Sequence, residues 1–161
     1  MTNNAPALTS AKEVPCMLLP MDEHTLLVPT TTVAEMSSVQ PLAPIENAPE
    51  WLMGLYEWRG IQVPVFSIEA LNGGEARLNA SGRIAVLNNT GASADLPFIA
   101  IHTQGIPRMA RVADEDISED DGNERRPFDM MAVKVGLEEF YIPDVTAIEQ
   151  AYLNFVSSNG V

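Results

Sequence analysis

Trp51-Leu-Met-Gly-Leu-Tyr-Glu-Trp-Arg-Gly-Ile-Gln-Val-Pro-Val-Phe66 is the stretch whose reading decides the fold. Leu55 to Trp58 and Ile61 to Phe66 are short apolar runs rich in β-branched and aromatic residues, so both read as strands, separated only by Arg59-Gly60. A single cation between two apolar runs needs a partner. The candidate is Glu35, which also sits beside apolar positions, Val33 and Met36.

Outward from that segment the chain reads as a series of strands. Cys16 to Leu19 and Thr25 to Val28 flank the polar Met21-Asp-Glu-His24 and form an expected hairpin. Ile84 to Leu87, Phe98 to Ile101 and Met109 to Val112 continue the series, and Ala132 to Val135 with Phe140 to Ile142 form a late hairpin around Gly136. Thr32-Val-Ala-Glu35 has the spacing of a capping box and predicts one helical turn. Asn47-Ala-Pro-Glu50 predicts a short helix carrying Trp51 and Leu52, after an extended segment marked by Pro41 and Pro44. Only the end is clearly helical: Asp144 can cap a segment in which Val145, Ile148, Tyr152 and Phe155 recur at helical spacing. The pattern is that of a mostly-β domain, barrel or sandwich, with short helices and a C-terminal helix.

Composition bounds the function. The 161 residues, 46% apolar, suffice for one domain with a sizeable core, expected over 13–156 between a flexible N-terminal tail, 1–12, and a short C-terminal tail, 157–161. Twenty-two acidic against nine basic residues leave a formal charge of −13, which repels nucleic-acid phosphates and anionic lipids, so neither is expected as a partner. The start has no basic segment followed by an apolar stretch, and no apolar run approaches the roughly 20 residues of a membrane helix. With Cys16 as its one cysteine the chain forms no internal disulfide, and a cytoplasmic location is expected.

No catalytic, cofactor or metal site is expected. Cys16 lies in an apolar strand, where a thiol packs as a small hydrophobe, and His24 and His102 are isolated. The acidic run Asp114 to Asp121 does not hold the register of a calcium loop, since Glu119 stands where glycine is needed and Arg125 where the bidentate glutamate belongs. It reads as a solvated, mobile connection whose charge Arg125 and Arg126 damp. The Glu35–Arg59 pair has two open readings, fixing a loop against the sheet or forming a partner-facing rim with Val33 and Met36. Trp51 and Trp58 are expected in the core.

Several ordered features resemble the CheW-like domain of bacterial chemosensory pathways. They are Val33-Ala-Glu35-Met36 after the opening hairpin, Ala48-Pro-Glu-Trp-Leu-Met-Gly54, Arg59-Gly60 followed by Val63-Pro64-Val65, Leu71-Asn-Gly73, Ala100 to Val112 around Gly105, and Tyr141 to Ala151. The chain departs from the family at Glu57, where asparagine is usual, and at Ser67 and Gln104, where aspartate is common, as a divergent member would. The resemblance implies two interleaved five-stranded SH3-like β-barrels and a non-catalytic adaptor coupling chemoreceptors to a CheA-type histidine kinase, in flagellar or pilus-driven motility. It implies that the receptor's cytoplasmic tip contacts Val33, Glu35, Met36, Arg59 and Gly60, and that the kinase's regulatory domain docks on another apolar edge. Recruitment to membrane receptor arrays would follow from those partners. The competing reading is a small-molecule-binding β-barrel protein.

Overall fold

The computed structural model describes residues 12–122 and 124–159, so the expected tail over 1–12 lies, but for Lys12, outside the described residues. Among the described residues eleven strands form two sheets. The first sheet contains β1 (Glu13–Pro20), β2 (Thr25–Pro29), β8 (Arg108–Ala113), β9 (Ile117–Glu119), β10 (Asp129–Val135) and β11 (Glu138–Pro143), in the order β8-β1-β2-β11-β10-β9. The second contains β3 (Val33–Ser38), β4 (Leu52–Trp58), β5 (Ile61–Phe66), β6 (Arg83–Asn88) and β7 (Phe98–Thr103), in the order β3-β6-β7-β5-β4. The middle of the chain thus builds one sheet, and the C-terminal part returns to complete the other through a parallel contact of Tyr141 with Leu26. The mostly-β architecture with short helices and a C-terminal helix is as expected, with six described strands in one sheet and five in the other. A four-residue helix, α1 (Ile68–Leu71), follows β5, and the chain closes on α2 (Val145–Ser158).

The near-continuous apolar runs of the strands have a simple cause, since both faces are covered. In the first sheet Cys16, Leu18 and Leu27 join Val112, Val133 and Phe140 in one cluster. In the second, Val63, Val65, Ile84, Val86 and Ala100 surround Trp58 in another. The alternate residues of the same strands, Leu19, Leu26, Val28, Phe66, Ala85, Leu87, Ile99 and Ile101, meet between the sheets in a third and larger cluster. Ile148 and Val145 of α2 are buried in that third cluster, and Asp144 caps the helix by accepting from the Ala147 amide at 3.1 Å. Trp58 is buried as expected, and Trp51 is half-buried, stacked on Phe66 with ring centroids 6.0 Å apart.

Four local expectations are corrected. The helical turn read at Thr32 to Glu35 lies earlier, as a 3-10 turn over Thr30–Thr32, and Val33 already pairs with Leu87 in β3. No helix follows Asn47. That residue takes φ 64° in a turn, and Leu52 begins β4. The acidic run is not a mobile connection throughout: it forms a 3-10 turn over Asp114–Asp116 and then β9, which pairs with β10. The arginines beyond it are committed elsewhere, Arg126 to a bidentate pair with buried Asp129 and Arg125 to the Met130 carbonyl.

Candidate partner-binding site

Arg59 and Gly60 are the two central residues of the β4–β5 hairpin, closed by the Trp58–Ile61 pair. A type I′ two-residue turn, whose twist matches that of its strands, requires positive φ at both positions, and they have φ 52° and 78°. Gly60 adopts this without penalty. Arg59 does not, since an L-residue in the left-handed region costs on the order of 1 kcal/mol or more. The turn projects the guanidinium toward β3, the edge strand of the same sheet, where Nη2 donates to Glu35 Oε1 at 2.8 Å. The guanidinium carbon also lies 4.9 Å from the centroid of the Trp58 ring.

The expected pair therefore forms, but it is not buried: the side chains are 71% and 38% exposed. The Arg59 hydrogen bond holds the Glu35 carboxyl below its usual range. The indole N–H of Trp58 pulls in the same direction from nearby, although it lacks the geometry of a hydrogen bond and has no acceptor among the described residues.

A β-bulge at Ala34 divides the other predicted residues. Val33 pairs with Leu87 and Met36 with Ala85, both in the cluster between the sheets, whereas Glu35 pairs with Val86 of the cluster around Trp58. Val33 and Met36 thus pack toward the sheet junction, and Glu35, on the other face of β3, meets Arg59 of the hairpin at the opposite end of the strand order, so that the two, with Gly60, form an exposed ionic corner. The structure brings Glu35 and Arg59 together and sets Val33 and Met36 apart from them.

Sequence reasoning missed an open cleft of about 440 Å³ where the sheets meet, immediately before Val33. Its walls include Val28 and Pro29 of β2, Thr31, Met130, Ile142 and, at the start of α2, Val145. Thr90 lines it as well and donates through its amide (3.0 Å) and hydroxyl (2.6 Å) to the buried carboxylate of Glu149, which ties α2 to the loop after β6. A close approach fixes the site's flank. Gly54 has φ 147°, and a Cβ there would meet Ala43 O at 2.8 Å, because the segment with Ala43 bridges to Leu55.

Among the described residues no group of three His, Cys, Asp or Glu side chains could hold a metal ion. Burial pushes the Cys16 thiol up, away from the thiolate a nucleophile needs. No helix among them is long and apolar enough to cross a membrane.

Among solved structures, the chain is similar to the scaffolding protein TtCheW from Thermoanaerobacter tengcongensis, with a TM-score of 0.69 over 82% of this chain and 89% of that one, at 15% identity. At that identity the likeness speaks for the fold alone. No curated protein matches the chain by sequence. The profile of the CheW-like domain matches residues 15–151, which covers most of the chain, and the chain belongs to the CheW-like domain family.

Proposed function

We propose that the chain is a non-catalytic adaptor that binds the cytoplasmic tip of a chemoreceptor and the regulatory domain of a histidine kinase, so that the receptor's state biases the kinase. Family membership and the likeness to a scaffolding protein support this reading. The observation that carries it is Arg59, an exposed arginine kept in a left-handed turn position that glycine or asparagine would occupy with less strain. An exposed ion pair adds little to stability, so folding alone does not explain that choice. A guanidinium already oriented by Glu35 and Trp58 can meet a partner's carboxylate or carbonyl with little further ordering. In this reading the receptor contacts the ionic corner of Glu35, Arg59 and Gly60, and Val33, Met36 and the cleft before them, on the other face of β3, offer a second contact. The kinase docks on a separate surface, and the domain acts by geometry and linkage.

The test is titration of the purified chain with chemoreceptor cytoplasmic fragments and with kinase regulatory domains of the same host, using Arg59→Ala as the variant. Saturable binding of both, with receptor binding weakened at least tenfold in a variant that melts normally, is the expected result. Failure to bind either partner, or a variant that binds both as well as the parent, overturns the proposal.

A further inference from the structure

Strand β8 ends the six-stranded sheet, so among the described residues one side of its backbone has no strand beyond it. The body of the strand carries two basic side chains and no acidic one, although Asp114, Glu115 and Asp116 follow it and Glu13 stands beside its end. Arg59, Arg77 and Arg126 are each paired with a carboxylate, those of Glu35, Asp22 and Asp129. Arg108 and Arg111 on β8 are exposed and have no carboxylate within reach among the described residues. Between them Met109 is 72% exposed, and Ile106, just before the strand, is 64% exposed. Charged side chains on an edge strand commonly serve to repel other strands. Here the charge opposes that of the rest of the molecule, −13 overall, and it flanks an exposed apolar side chain, which is the composition of a docking edge and not of a purely repellent one.

We infer that β8 is a docking edge for an extended acidic segment of a partner protein, added as a further strand. The pattern of the ligand follows from the alternation of the strand. Arg111 and Met109 project to the face they share with their β1 partners Pro15 and Met17, while Arg108 and Ala110 project to the opposite face. A strand laid along this edge places a carboxylate opposite each arginine when its sequence reads acidic, apolar, apolar, acidic. That four-residue pattern is the same in both directions, so parallel and antiparallel pairing are both served. The main chain supplies affinity, and the four side chains supply selectivity. A second copy of this chain is disfavoured as the occupant because two molecules of charge −13 repel. The inference is independent of the adaptor reading, since it uses none of the residues of the ionic corner.

The probe is a fluorescein-labelled peptide, Thr-Glu-Val-Val-Glu-Thr, titrated with the full chain at low salt and followed by fluorescence anisotropy. Binding is expected to weaken with salt, to fall at least tenfold in the double variant Arg108→Glu/Arg111→Glu, and to fall similarly when one of the two valines, the one whose N–H faces β8, is replaced by proline. The double variant is expected to gain affinity for the lysine counterpart, Thr-Lys-Val-Val-Lys-Thr. Its melting temperature checks folding, since among the described residues neither arginine side chain makes a hydrogen bond that the change would break. Absence of binding, equal binding by the double variant, or undiminished binding of both single-proline peptides overturns the inference. So does concentration-dependent self-association in sedimentation that the double variant abolishes, because the occupant would then be a second copy. Intact receptor and kinase binding by the double variant leaves the adaptor reading untouched, so the two fail separately.

Discussion

Glu149 is a carboxylate in the core, and its removal gives the sharpest test of how the cleft wall is held. It lies on α2 with almost no exposure and accepts from the Thr90 amide at 3.0 Å and the Thr90 hydroxyl at 2.6 Å. In Glu149→Ala the Thr90 amide loses a charged acceptor, a hydrogen bond of about 1.5–3 kcal/mol, and a buried methylene is lost at about 0.8 kcal/mol. The hydroxyl loses less than a full hydrogen bond, because Thr146 Oγ1 remains 3.1 Å away. The sum is about 3 kcal/mol, or roughly 6–12 °C in melting temperature for a chain of this size. Glu149→Gln keeps one acceptor oxygen and should lose about half as much. Thr90→Val removes the same 2.6 Å bond from the other side, so Thr90→Val/Glu149→Ala should be less destabilised than the sum of the single variants by about 1 kcal/mol. Urea and thermal unfolding followed by circular dichroism measure all four. A Glu149→Ala variant within about 1 kcal/mol of the parent, or strict additivity of the pair, would refute the reasoning, because the carboxylate would then be solvated and not the clamp between α2 and the loop after β6.

Arg59→Asn relieves the left-handed backbone and should leave the melting temperature unchanged or raised, even as receptor binding weakens; a large fall in melting temperature would show that the arginine serves folding after all. Gly54→Ala should lower stability by about 2–4 kcal/mol in urea unfolding, since both φ and the Ala43 carbonyl oppose a Cβ, and a neutral result would mean that the Ala43 segment moves freely. Burial holds the His102 imidazole below its ordinary pKa, and so does burial of His24, reinforced by Arg126. Above the unfolded-state pKa neither state binds the proton. As the pH falls from there toward the folded-state value, the unfolded chain binds more protons, so stability is lost on acidification. The decline between pH 7 and 5.5 should be shallower in His102→Gln than in the parent, and parallel pH profiles would remove His102 from the account.

Much of the fold is legible in the sequence because two-sided burial writes itself as uninterrupted apolar runs: Ile61 to Phe66 is a strand with the predicted limits, and Asp144 opens α2 as its side chain suggests. Legibility fails where a tertiary contact outweighs a local signal. Thr32 and Glu35 have capping-box spacing, yet Val33 to Ser38 is captured by pairing with β6. Ser67 caps α1 through the Ala70 amide, but four residues are too few for a helical period to show. Among the site residues, the Glu35–Arg59 contact could be anticipated from two charges in apolar surroundings. The bulge at Ala34 carries no signal of its own, and it is the bulge that turns Val33 and Met36 to one face and Glu35 to the other.

Arg59 and Arg126 look alike in the sequence, each beside a turn and within reach of a carboxylate, and their surroundings separate them. Arg126 is 19% exposed, grips Asp129 in two parallel hydrogen bonds of 2.8 and 3.0 Å, and packs over the Tyr141 ring at 4.3 Å. Its partner carboxylate is 1% exposed, so the guanidinium compensates a charge that the fold has already buried, and its role is internal. Arg59 compensates nothing that water could not, and it occupies a backbone conformation that works against folding. A residue whose contacts do not explain its own strain points to a contact that the isolated chain does not contain. That is why the ionic corner, and not the better-formed pair at Arg126, is the place to look for the partner.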